Sequence, residues 1–164
     1  LLKNAISRIR TLSMKSVCRT FFLAAMLIPC AAGAEGGECG VTIAGINFDT
    51  YNPLGRTPTE AQGSITVTCS GPARGKVTVN TGGSQSFRTR TMTGDRERIE
   101  YNLYADNLHA TVWGNGEPGT VTGSFTFGEG GGLQIFLVYG SIPPKQDVYA
   151  PQIFRDSPAV TILW

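Results

Sequence analysis

The single histidine, His109, is the residue best suited by type to serve as a general base near neutral pH. It stands in Asp106-Asn107-Leu108-His109, a polar, turn-like segment. No serine or cysteine nucleophile occupies a recognisable frame around it, so the constellation needed for nucleophilic catalysis is missing and His109 reads as a surface residue. Asp95, Glu97 and Glu100 alternate with Arg96 and Arg98. A glycosidase needs two carboxyl groups at a set separation in space, which sequence spacing does not decide, and the interleaved charges favour a solvated charged turn. Gly128-Glu129-Gly130-Gly131-Gly132 has the glycine content of a phosphate-cradling loop. Its acidic residue opposes an anion, and neither a lysine-serine or lysine-threonine pair nor a helical pattern follows, so a hairpin loop is expected. Cys39 and Cys69, 30 residues apart, do not make a tetrahedral ligand set with one histidine. No enzyme activity, metal or other cofactor is expected.

The residues around these groups are organised first by a leader. Lys15 and Arg19 precede the apolar run Phe21 to Ile28, and Ala32-Gly33-Ala34 follows. A charged segment, a short apolar core and a small-residue cleavage site form a secretory signal, whereas a membrane-spanning helix needs about 20 apolar residues. Residues 1–34 are therefore expected to be a leader with signal peptide, with the mature chain starting about Glu35 and a single domain over 35–164. Cys30 as a lipid attachment site is disfavoured by Pro29, where a small residue would be needed. Five of the 14 Lys and Arg leave with the leader while all 12 acidic residues remain, so nine basic residues face 12 acidic ones, a formal charge of −3. That sign removes the charge argument for a nucleic-acid partner. Cys18 and Cys30 leave too, and the remaining pair, Cys39 and Cys69, is expected to form one disulfide in an exported chain.

The mature chain follows a period of two. In Gly63-Ser64-Ile65-Thr66-Val67-Thr68-Cys69 the apolar residues fall on one face and the hydroxyls on the other, the signature of a half-buried strand. The same alternation is present at 41–43, 76–80, 99–104, 121–127, 133–139 and 159–164, separated by turn formers such as Gly82-Gly83, Asn115-Gly116 and Pro143-Pro144. No segment carries an apolar stripe at helical spacing. Trp113, Tyr101, Tyr104, Phe125, Phe127 and Phe136 are expected in the core or on sheet faces rather than as a sugar-stacking platform. About seven short strands point to an antiparallel sandwich of immunoglobulin-like size, with the first strand broken near Gly45.

An ordered series of segments carries a resemblance. Cys39 is followed by Ile46-Asn47-Phe48-Asp49-Thr50-Tyr51-Asn52-Pro53-Leu54, then Thr68-Cys69-Ser70, Arg90-Thr91-Met92 and Tyr101-Asn102-Leu103-Tyr104-Ala105-Asp106. Val112-Trp113-Gly114-Asn115-Gly116, Val138-Tyr139-Gly140-Ser141-Ile142-Pro143 and Phe154-Arg155-Asp156 complete it. The series resembles the spore coat protein U domain family, which is also the subunit module of archaic chaperone-usher (Csu-type) pili. Ala150-Pro151 departs from the usual pattern, in which a glycine-containing turn is common.

The resemblance implies an all-β fold: an incomplete immunoglobulin-like antiparallel β-sandwich completed by a donated strand. It implies a secreted structural subunit of a chaperone-usher pilus or of a cell or spore coat. The partners would be a periplasmic pilus chaperone, an outer-membrane usher and other pilus or coat subunits, reached by export through the periplasm to the cell surface. Val160, Ile162 and Trp164 share one face by alternation and are expected to border the acceptor groove as the chaperone and donor-strand interface. Between Ala34 and Cys39 only Glu35-Gly36-Gly37-Glu38 remain, about 13 Å of extended chain without an apolar side chain. The expectation is a subunit that accepts a strand and does not donate one, as at a tip or chain terminus. The alternative reading is a surface-binding adhesin module using loop residues such as Asn115 to Gly119 or Gly128 to Gly132.

Overall fold

β-Branched residues alternating with small or hydroxylated ones set the longest strands, because a stiff branched side chain packs well on a pleated surface. The computed structural model describes residues 37–149 and 152–164; the expected leader, residues 1–34, lies outside them. The strands in chain order are β1 (Cys39–Ala44), β2 (Thr59–Cys69), β3 (Ala73–Val79), β4 (Arg90–Thr93), β5 (Arg98–Tyr104), β6 (Val112–Trp113), β7 (Thr120–Val121), β8 (Gly123–Phe127), β9 (Gly132–Ile142) and β10 (Val160–Leu163). One sheet runs β1-β2-β9-β5-β6-β7, with β4 also on β5, and the other runs β10-β3-β8. Every pairing is antiparallel except β6 with β7. The fold is a two-sheet, all-β sandwich, as expected.

The inward face of β2 carries Gly63, Ile65, Val67 and Cys69, all buried. They meet Val77 and Val79 of β3 and Val160 and Ile162 of β10 in one core that also holds Ile99, Leu103, Trp113, Phe125, Val138 and Ile142. All seven segments with alternating pattern are strands in whole or in part. The alternating stretch 121–127 is divided at Thr122, with β7 in the first sheet and β8 in the second. The short strands β4 and β6 carry too few residues for a period to show. β1 stops at Ala44, immediately before Gly45, where the break was expected.

After that break the chain crosses the inner side of its own sheet, burying Ile46 and Phe48. Glycines make room for the crossing. A Cβ on Gly63 would lie 2.5 Å from the Ala44 carbonyl oxygen and 2.9 Å from Ile46, and one on Gly140 would lie 2.5 Å from the Phe48 ring. The obstruction at Gly63 is backbone, which yields little. Gly63→Ala is therefore expected to lower stability by about 1–3 kcal/mol, the cost of overpacking, read as a lower urea midpoint at unchanged slope.

Candidate functional site

An antiparallel strand at a sheet border leaves one row of backbone donors and acceptors unpaired. Two borders of the sandwich do so side by side. Among the described residues β1 pairs with β2 alone and β10 with β3 alone, and the two belong to different sheets. Val160 and Ile162 point inward from β10 and are buried. Across from them Val41 and Ile43 of β1 face the core yet are only half-buried, while their register partners on β2, Val67 and Ile65, are buried. Inward-facing apolar residues that remain partly wet mark a place where the second sheet does not extend far enough to cover the first.

Between the two borders lies an apolar crease lined by Ile43, Ile46 and Ile65 on one side and Val79 and Val160 on the other, with Leu103 and Val138 behind them. Its volume is about 10 Å³, about one water, so the core is closed as it stands. Trp164 does not join Val160 and Ile162. β10 ends at Leu163, and Trp164 is 42% exposed beyond it; the expected three-residue face is two residues long, because pairing with β3 stops at Lys76.

The disulfide expected from the sequence is present. Cys39 and Cys69 are cross-strand partners in the β1–β2 register, with Cα atoms 4.1 Å apart, and the bond anchors the first residue of the border strand β1.

The residues considered for catalysis are dispersed. His109 is half-buried rather than a free surface residue. Its ring packs edge-on against Tyr104 at 5.0 Å, and Nδ1 lies 3.5 Å from Oε1 of Glu60. The turn before it is built by Asp106, whose Oδ1 accepts from the amides of Leu108 and Ala110 and whose Oδ2 accepts from Thr111. These bonds, Ala110 first, hold the Asp106 pKa below the ordinary carboxylate value. Glu97 is not simply solvated. It accepts from the amide of Tyr149 at 3.1 Å and from Nε2 of Gln152, while the Gln146 side chain pairs with both backbone groups of Glu100. The charged turn is thus a clamp for the segment between β9 and β10. Gly128 and Gly131 close the tight turn joining β8 to β9, as the glycine content implied.

Sequence reasoning missed Arg90, which is fully buried at 0% exposure. Its guanidinium donates to the carbonyls of Asn80 and Trp113 and to Oδ1 of Asn102, and it sits 5.3 Å from the Phe87 ring centroid. Asn102 in turn donates to the carbonyls of Phe87 and Arg88. Arg90 shares the inward face of β4 with Met92, but four residues are too few for that phase to mark it in the sequence.

The family model for the Spore Coat Protein U domain matches residues 27–161, and the chain belongs to that family. A similar fold is found in the CsuC-CsuE chaperone-tip adhesion subunit pre-assembly complex from archaic chaperone-usher Csu pili of Acinetobacter baumannii. The likeness has a TM-score of 0.55 at 20% identity, covering 77% of this chain and 39% of that one. This chain therefore spans well under half of the chain it matches, and the likeness is one of fold. Comparison with curated proteins found no match.

Proposed function

We propose that this protein is an exported structural subunit of a chaperone-usher fibre or surface coat, in which the β1 and β10 borders accept a strand from another chain. The observation that carries this reading is the pair of unpaired borders flanking one apolar crease, with Val41 and Ile43 half-covered beside a buried core. A strand laid between them would pair along β10 and bury the inner face of β1. Backbone hydrogen bonds would supply affinity, and alternate apolar side chains would supply register. A periplasmic chaperone would provide that strand first and another subunit would replace it at an outer-membrane usher. Membership of the Spore Coat Protein U domain family and the shared fold with the Csu complex support this assignment.

The test is isolation of the processed chain from the periplasm with and without a co-expressed chaperone of its own assembly system. A one-to-one complex is expected with the chaperone, and aggregation or proteolysis without it. Ile43→Glu places a charge on the half-buried inner face of β1 and is expected to abolish the complex. A stable, soluble monomer that neither binds the chaperone nor gains stability from an added donor peptide would sink the reading. The finer position, a subunit that accepts without donating, is read from the mass of the mature N-terminus. A start well before Ala31 would supply a donor segment and remove that role.

A further inference from the structure

A second site shares no lining residue with the crease between the borders. The loop leaving β3 and the loop joining β6 to β7 face each other across a cleft of about 570 Å³, within the range of about 300–1,000 Å³ for small-molecule sites. None of its lining residues belongs to β1 or β10, so pairing along those borders leaves it open.

The cleft is held in shape from beneath. Arg90 donates to the Asn80 carbonyl at the base of one wall and to the Trp113 carbonyl at the base of the other. Asn102, itself held by Arg90, grips the carbonyls of Phe87 and Arg88. The far wall is set by positive-φ Gly116 and Gly119. There Asn115 Nδ2 donates to Glu117 Oε1 at 2.7 Å, and Asn115 Oδ1 accepts from the Glu117 amide at 3.0 Å. The near wall carries Gln85 at φ 60°. Such a rigid arrangement spares an incoming ligand the cost of ordering the loops.

The lining selects the ligand class. The side-chain amide of Gln85 and the hydroxyl residues Thr81 and Ser86 supply donors and acceptors to the lining, and Phe87 offers one aromatic surface. Arg88 and Glu117 both reach the cleft, and neither side chain has an ion-pair partner among the described residues. The two charges offset each other, so the lining carries no net charge that would favour an anion or a cation, and an apolar ligand would leave its polar groups desolvated without partners. A neutral polyhydroxyl ligand satisfies all of these groups, its hydroxyls on the polar walls and a C–H face on Phe87. We propose that this cleft is a binding site for neutral oligosaccharides.

The test is saturation-transfer NMR on the folded full chain with maltotetraose, cellotetraose, chitotetraose and mannotetraose, each at up to about 10 mM, where even weak sites fill. At least one is expected to bind. Glu117→Gln and Gln85→Ala, both at the exposed rim, are expected to weaken it about tenfold each, and Phe87→Ala to abolish it. Tyr149→Ala, in a separate cleft with Leu54 and Lys145, is expected to change nothing. Absence of binding by all four sugars overturns the proposal. So does binding that survives Glu117→Gln and Gln85→Ala in variants whose thermal melting matches the parent. Neither result touches the strand-acceptor reading.

Discussion

Replacing Arg90 with leucine is expected to lower stability by about 3–5 kcal/mol, a large part of the about 5–15 kcal/mol that holds a domain folded. The guanidinium is the sole side chain that binds the Asn80 carbonyl, the Trp113 carbonyl and Asn102 Oδ1 together. Leucine fills part of the volume but takes a donor from each of these acceptors; Asn102 Oδ1 keeps the Leu103 amide at 2.9 Å, whereas the Trp113 carbonyl loses the guanidinium in a buried setting, and a buried group left unsatisfied costs about 1–3 kcal/mol. Burial pulls the Arg90 pKa below its ordinary value, and the Asp156 carboxylate opposes that fall. The opposing field comes from a second buried node: the Tyr101 hydroxyl donates to Asp156 Oδ2 at 2.7 Å, while Asp156 Oδ1 accepts from the amides of Gly83 and Ser157. Burial, and then that hydrogen bond, push the Tyr101 pKa upward, so the tyrosine stays protonated and remains a donor. Arg90→Lys keeps the charge but replaces a planar fork by a point donor, which cannot span acceptors on three segments; a smaller loss is expected. Urea denaturation of the three proteins orders them Arg90, Lys, Leu. A leucine variant within about 1 kcal/mol of the parent would show that the network is not a keystone.

The strands were readable because their period of two survives in residues with branched or hydroxylated side chains, as in Ile65-Thr66-Val67. What alternation does not encode is which sheet a strand joins. The stretch 121–127 keeps its phase through Thr122 while passing from one layer to the other. The passage is a packing event: Gly123 sits where a Cβ would come within 2.6 Å of Phe136 and 3.0 Å of Trp113. The same limit explains Trp164. Its phase matches Ile162, but β3 is no longer paired with it, and the residue is 42% exposed. Arg90 was hidden for the opposite reason. A charged residue at an inward phase is read as an exception until its acceptors are seen, and those acceptors come from 10, 12 and 23 residues away. The borders themselves carry no sequence mark. Val41 and Ile43 have the composition of covered strand residues, and only their neighbours reveal that the cover is partial.

Removing the cross-strand disulfide, as Cys39→Ala with Cys69→Ala, is expected to cost about 3–4 kcal/mol on the chain-entropy argument for a loop with a sequence separation of 30. Beyond that global loss, local opening should be concentrated in one strand. β1 has one hydrogen-bonded neighbour among the described residues, and its inward residues Val41 and Ile43 are half-buried, so little else holds it in place. β2 keeps β9 as a second neighbour along its whole length, from Thr59↔Ile142 to Cys69↔Gly132, and remains fixed. Hydrogen exchange is therefore expected to accelerate most at β1 amides, less at β2 and least at β3 and β5. The functional consequence follows from geometry. On the proposed strand-acceptor function, a strand entering between β1 and β10 would gain affinity from both borders only if both hold still, and ordering β1 at the moment of binding would subtract its entropy from the gain. The double variant is accordingly expected to lose chaperone complex in parallel with β1 protection. Equal protection across β1 and β2, or a complex as tight as the parent's, would mean that the acceptor border is held by its ladder with β2 and not by the covalent link.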